Sequence, residues 1–118
     1  MKRTYIDYLK DMLENANRGI FFAQGMDYKT FTKDEKSVYA VIRAVEIIGE
    51  ATRNIPEEIQ SKYKNIPWRD VSNMRNKLVH RYFGIDVEII WKTIQEDLPD
   101  LITALEDIIR REENSSKQ

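Results

Sequence analysis

Val87, Trp91, Ile94, Leu98, Leu101, Leu105 and Ile108 follow one another at alternating spacings of four and three. Strand side chains repeat every second residue, so only a helix gathers such a series onto one face. Two further stripes obey the same rule: Ile6, Leu9, Leu13, Ala16, Ile20 and Ala23, then Val38, Val41, Val45, Ile48, Thr52 and Ile55. Spacings averaging about 3.5 on several helices with short connections predict an all-α fold, an antiparallel helical bundle. Ala44, Ile47 and Ala51 add a second apolar edge to the middle stripe, wide enough for a deeper core or a subunit contact.

The punctuation between stripes sets the element order. Gly25 closes the first helix, Asp27 to Phe31 reads as a loop, and Thr32 with Glu35 has the form of a capping box for the second helix. Pro56 and Pro67 suit the first turns of a short helix through Ile59 and Tyr63 and of a further helix bearing Val71, Met74 and Leu78, because the missing N–H is not needed there. Gly84 followed by Asp86 marks a break and a new N-cap, and Pro99 should disturb the last helix locally. The expectation is four main helices plus a short one, in a single domain over residues 1–112, with a polar tail over 113–118 that frays from Glu112 onward.

The 118 residues give room for one hydrophobic core. There is no cysteine and one histidine, so a disulfide framework and a thiolate metal site are excluded, and neither metal nor cofactor is expected. The opening MKRTYIDYLK enters charged helix at once, without the apolar stretch of a signal peptide or a membrane span, which predicts a cytoplasmic protein away from the membrane. A formal net charge of −1 does not announce a nucleic-acid binder. The charge is uneven, however: Lys62, Lys64, Arg69, Arg75, Lys77 and Arg81 face one acid, Asp70, between Ser61 and Arg81, while acids dominate from Asp86 to Glu113. Such a basic segment can attract a polyanion, although a solvated helix surface is the plainer reading of charge alone. Trp68 and Trp91 lie on or beside apolar stripes and read as core rather than as platforms for bases.

One constellation can carry chemistry. Arg75, Asn76, Lys77, Leu78, Val79, His80, Arg81 and Tyr82 put an arginine, the lone histidine and a tyrosine close together. On a continued helix His80 would point nearly opposite Val71, Met74 and Leu78, at about 100° per residue, so it is not a core histidine. If the helix ends near Val79 and the chain extends, His80 and Tyr82 face the same way. Histidine exchanges protons near neutrality, and arginine offers a permanently charged fork that fits phosphate oxygens. Cleavage of RNA through its own 2′-hydroxyl needs that pair: proton transfer, and stabilisation of charge on phosphorus. By spacing alone an Arg and a His five apart recur by chance, and two ordinary surface side chains remain the plainer reading.

RNKLVHRYF, preceded by IPW and followed by Asp86, Trp91 and DLPDL, resembles the motif region of the HepT-like family of HEPN-domain toxins, whose hallmark is RxxxxHxY. The upstream IIGEATRNIP, the Tyr8–Leu9 pair and Phe31 are similar to that family as well, so the likeness runs from about Thr4 to Arg110. The resemblance implies an HEPN-like helical fold and a metal-independent endoribonuclease, the toxin of a toxin–antitoxin pair. Its implied partners are RNA, with tRNA one candidate class, and an MntA-like minimal nucleotidyltransferase antitoxin. Carried onto this chain, Arg75 and His80 are the catalytic pair, and Tyr82 is the hydroxyl to which the partner transfers AMP. Glu50, in the Gly-Glu-Ala segment, is a supporting acid whose simplest role is a salt bridge or hydrogen bond to Arg75. Asn76 is a supporting candidate, though an exposed helical Asn is equally ordinary. A symmetric homodimer is expected, since one His must otherwise serve as both base and acid. The alternative function is a non-catalytic helical subunit that docks a nucleotidyltransferase.

Overall fold

A computed structural model describes residues 2–80 and 84–116. Its helices are α1 (Tyr5–Phe22), α2 (Tyr28–Lys33), α3 (Glu35–Thr52), α4 (Glu57–Lys62), α5 (Trp68–Ser72), α6 (Met74–Leu78), α7 (Val87–Lys92) and α8 (Leu98–Ser116). A π turn, Thr93–Asp97, joins α7 to α8, and a two-stranded ribbon, β1 (Val79–His80) with β2 (Gly84–Ile85), stands between α6 and α7. The all-α bundle expected from the stripes is the architecture found. The helix expected after Pro67 is divided at Asn73 into α5 and α6.

The long helices pack on a shared core. In α1 the fully buried residues include Leu9, Met12 and Ala16, with Gly19 also buried, whereas Ile6, Leu13 and Ile20 of the expected stripe are only partly covered. The reason is that α1 lies between α3 and α8 and needs a wider apolar face than a single seam provides. Gly19 sits against Leu98, where an added Cβ would come within 2.8 Å of Leu98 Cδ1. Lys10 and Glu113 pair at 3.0 Å toward the other ends of the same two helices, so α1 and α8 run antiparallel. In α3 the stripe Val38, Val41, Val45, Ile48 and Thr52 is buried as expected, and Ala44 and Ala51 join the core while Ile47 stays partly exposed.

Two local expectations are corrected. Asp27 does not open a loop: its side chain accepts a hydrogen bond from the Thr30 N–H at 2.8 Å and caps α2, which carries the fully buried Phe31. The cap of α3 is Asp34, accepting from the Ser37 N–H at 3.2 Å, while the Thr32 hydroxyl donates back to the Lys29 carbonyl. Asp outranks Thr as an N-cap, which explains the displacement. Pro99 disturbs the run as expected, through the π turn: lacking an N–H it leaves the Gln95 carbonyl without its usual donor, and at the residue just before it the Leu98 N–H reaches five residues back to the Thr93 carbonyl.

The third correction concerns Glu112. It lies inside α8 and is 3% exposed. Its carboxylate accepts hydrogen bonds from the Tyr5 hydroxyl at 2.8 Å, from Lys62 Nζ at 2.8 Å and from the Tyr63 hydroxyl, tying α8 to α1 and to the end of α4. Burial alone would raise the Glu112 pKa, but the donors from Lys62, Tyr63 and Tyr5 outweigh it and hold the group at about 2, below its ordinary 4.5. A carboxyl depressed on folding stabilises the native state above its ordinary pKa, and that contribution is lost as the pH falls through the depressed value. Glu112→Gln should therefore cost about 3 kcal/mol at pH 7, and the gap to the parent should close toward pH 2, as read by urea unfolding at both pH values. An equal gap at the two pH values would show that the charge of Glu112 is not what stabilises the bundle.

Candidate functional site

The site is built on α6 and the ribbon that follows it. Two backbones come unusually close beneath it: a Cβ added at Gly49 of α3 would lie 2.9 Å from the Ser72 carbonyl oxygen of α5. The same oxygen accepts a hydrogen bond from Arg53 Nη2 at 3.0 Å. Met74 and Leu78 anchor α6 in the core, which leaves Arg75, Asn76 and Lys77 exposed on its outer side. The Gly of the Gly-Glu-Ala segment thus lets α3 and α5 touch.

Helix α6 ends at Leu78, and Val79 is extended with φ −127° and ψ 118°. His80 consequently stands on a strand, opposite Gly84, while Val79 pairs with Ile85. Gly84 has φ 80°, a left-handed conformation that other residues adopt only at a cost. Beyond the ribbon the Asp86 N–H donates to the Leu78 carbonyl at 2.8 Å, and the Asp86 side chain caps α7 by accepting from the Ile89 N–H at 3.2 Å. Its second oxygen, Oδ2, lies 3.5 Å from His80 Nε2. The side chains of His80 and Asp86 are 43% and 32% exposed, so the pair is reachable from solvent.

Arg75 pairs with Glu46 of α3, Nε to Oε2 at 3.7 Å. Glu50 does not make the contact to Arg75 expected from the sequence: it pairs with Arg43 at 3.7 Å along its own helix. Glu46 and Glu50 are one turn apart, and the antiparallel approach of α3 to α5 and α6, with Gly49 against Ser72, brings Glu46 to Arg75. Asn76 is exposed, and its side chain has no hydrogen-bond partner among the described residues. Tyr82, with Arg81 and Phe83 of the motif, lies outside the described residues. Arg75 and His80 therefore sit on consecutive elements, each beside an acid from elsewhere in the chain.

Other surfaces are less suited to chemistry. A groove of about 560 Å³ runs between the α5–α6 segment and the α7–α8 run, with an apolar floor that includes Met74, Ile89 and Leu101. Lys77 and Lys92 line it with Asp70, Asp97 and Asp100, but Arg75 and His80 do not. Burial, and then the neighbouring Glu96, raises the Asp97 carboxyl above its ordinary value. Trp68 is core and donates its indole N–H to the Tyr63 carbonyl at 2.9 Å. Trp91 is partly covered, packed on Phe31 and Tyr28. Among the described residues no group of three or more His, Cys, Asp or Glu side chains is arranged to hold a metal ion, and no helix is long and apolar enough to cross a membrane.

The family model described as "Ribonuclease HepT-like" matches residues 3–108. A protein of Thermococcus cleftensis named "Probable ribonuclease HepT" is 46% identical over 101 residues, covering 86% of this chain and 92% of that protein. A Methanocaldococcus jannaschii protein named "Putative RNase" is 44% identical over 103 residues, 87% of this chain and 85% of its own length. Another so named, from Caldanaerobacter subterraneus subsp. tengcongensis, is 37% identical over 105 residues, 89% and 94% of the two chains. No solved structure gives a significant match. The exposed Arg75 and His80, held at the end of a helical bundle of this kind, stand in a chain that belongs to the HepT-like ribonuclease family.

Proposed function

We propose that this protein is a metal-independent endoribonuclease, the toxin of a toxin–antitoxin pair, with Arg75 and His80 as its catalytic residues. The observation that carries the reading is that both motif side chains are open to solvent on adjoining elements, each with a carboxylate at 3.7 Å or less. In the proposed reaction a base removes the proton of the RNA 2′-hydroxyl, and the 2′-oxygen attacks the adjacent phosphorus. The bond from phosphorus to the 5′-oxygen breaks, and an acid returns a proton to that oxygen. A 2′,3′-cyclic phosphate and a 5′-hydroxyl result. His80 carries protons, and Arg75 stabilises the charge that builds on the phosphoryl oxygens. Purified protein should cleave total RNA or tRNA equally with and without chelator. His80→Ala should lose about 100-fold or more of the rate with its helical circular dichroism unchanged. Loss of cleavage in EDTA, or full activity in His80→Ala, would rule the assignment out, and a parent protein that cleaves no RNA would leave a non-catalytic subunit as the better account.

A base and an acid are needed at once, and the chain has one histidine. A symmetric homodimer supplies the second imidazole from the same sequence and doubles the positive charge of Arg75 and Lys77 at one cleft. Light scattering at micromolar concentration should report a dimer. A fully active monomer under those conditions would remove the need for it.

Control is assigned to Tyr82. An MntA-like nucleotidyltransferase would join AMP to its hydroxyl through a phosphodiester, adding negative charge and bulk two residues from His80, and both oppose an incoming RNA backbone. Support comes from the family motif, in which the modified tyrosine holds this position. After co-expression with such a partner, intact mass should rise by whole AMP units that map to Tyr82, and Tyr82→Phe should stay unmodified and active. Neutralisation of Tyr82→Phe without a mass increment would instead mean control by complex formation.

A further inference from the structure

We infer that Asp86 is the positioning residue of His80, holding the imidazole by Nε2 so that Nδ1 faces the RNA; the catalytic part of this inference rests on the ribonuclease reading above. The placement follows from the ribbon. His80 pairs with Gly84, and Asp86 lies two residues beyond Gly84, just past the other strand of the ribbon. Side chains two apart share a face, so Asp86 is the diagonal neighbour of His80. The Asp86 N–H bonded to the Leu78 carbonyl at 2.8 Å continues the pairing by one step and fixes the backbone.

The carboxylate is then tied at its other end. Oδ1 accepts from the Ile89 N–H at 3.2 Å, which sets the rotation of the group and aims Oδ2 at His80 Nε2, 3.5 Å away. With both backbone and side chain restrained, Asp86 can orient a partner without being reoriented by it. An acceptor at Nε2 favours the tautomer with its proton there and leaves Nδ1 unprotonated, ready to receive the proton of a 2′-hydroxyl. A third group that orients the base is a recurrent arrangement in acid–base catalysis. Aspartate meets both demands because it is short enough to cap the helix and still has an oxygen to spare.

The lone histidine makes the test direct, because the untagged protein gives one set of imidazole signals in long-range proton–nitrogen-15 correlation spectra. Asp86→Ser keeps a capping side chain but cannot reach His80, and Asp86→Asn keeps the cap and removes the charge. The parent should hold its neutral imidazole in one tautomer, protonated at Nε2, and Asp86→Ser should show a mixture. Its kcat should fall on the order of tenfold, a part of what acid–base catalysis supplies, with KM and Tm unchanged. Should Asp86→Ser fail to fold, Asp86→Asn gives a second comparison: with its oxygen on the cap its amide nitrogen faces Nε2 as a donor, and the ratio should move toward the tautomer protonated at Nδ1. An unmoved tautomer ratio overturns the inference, and a moved ratio with unchanged kcat overturns its catalytic part. If the parent and His80→Ala prove alike on RNA, the catalytic role of His80 has failed separately, and the tautomer ratio still decides whether Asp86 positions His80.

Discussion

The approach of α3 to α5 at Gly49 is the contact on which the rest of the site depends. Helices normally keep their axes about 8–10 Å apart because side chains stand between them. Here a hydrogen replaces the side chain, and the Ser72 carbonyl comes within 2.9 Å of where a Cβ would be. Arg53 then satisfies that carbonyl, so a helix end pressed against another helix keeps a donor. Everything downstream inherits this placement. Met74 and Leu78 drop into the core, Arg75 meets Glu46, and the chain leaves α6 pointed into the ribbon that carries His80.

A second constraint acts within the longest helical run. The π turn at Thr93–Asp97 absorbs the donor that Pro99 lacks. Before the turn, α7 packs against α2, α3 and α6; after it, α8 packs along α1. One stretch of chain therefore braces the site and supports the bundle, with the change of duty at the turn. Its far end is held by polar contacts, since a buried carboxylate is tolerated only when donors surround it, and Glu112 has three.

The stripes on α3 and on α7–α8 were legible because each faces the core over a period that sequence spacing reports directly. The face of α1 was half legible: Met12 is buried because two helices, not one, press on α1, and spacing within α1 says nothing of how many neighbours it has. Asp27 and Asp34 are both within reach of capping chemistry: the Thr32–Glu35 box competes only with Asp34, a stronger single cap, whereas Asp27 caps a helix too short to leave a stripe. The choice between Glu46 and Glu50 was not legible, for it depends on how far α5 slides along α3, and that is fixed by the Gly49 contact. Glu112 reads as tail because its three donors lie on α1 and at the end of α4, far away in sequence. The extension at His80, by contrast, was open in the sequence as one of two cases, with Gly84 pointing to a helix end nearby, and once strand pairing is known the diagonal from His80 to Asp86 can be counted off the sequence.

The helical run from Val87 to Glu112 has a further meaning. At 1.5 Å per residue it is roughly 39 Å long, in a molecule whose longest dimension is 50 Å. Asp86 and His80 stand at one end, and the Tyr5–Lys62–Tyr63–Glu112 cluster closes the other. Sites this far apart with no shared partners contribute almost independently. A lineage carrying this fold can therefore adjust its robustness to heat or acid at one pole while leaving the candidate site at the other untouched, and can change that site without unravelling the frame.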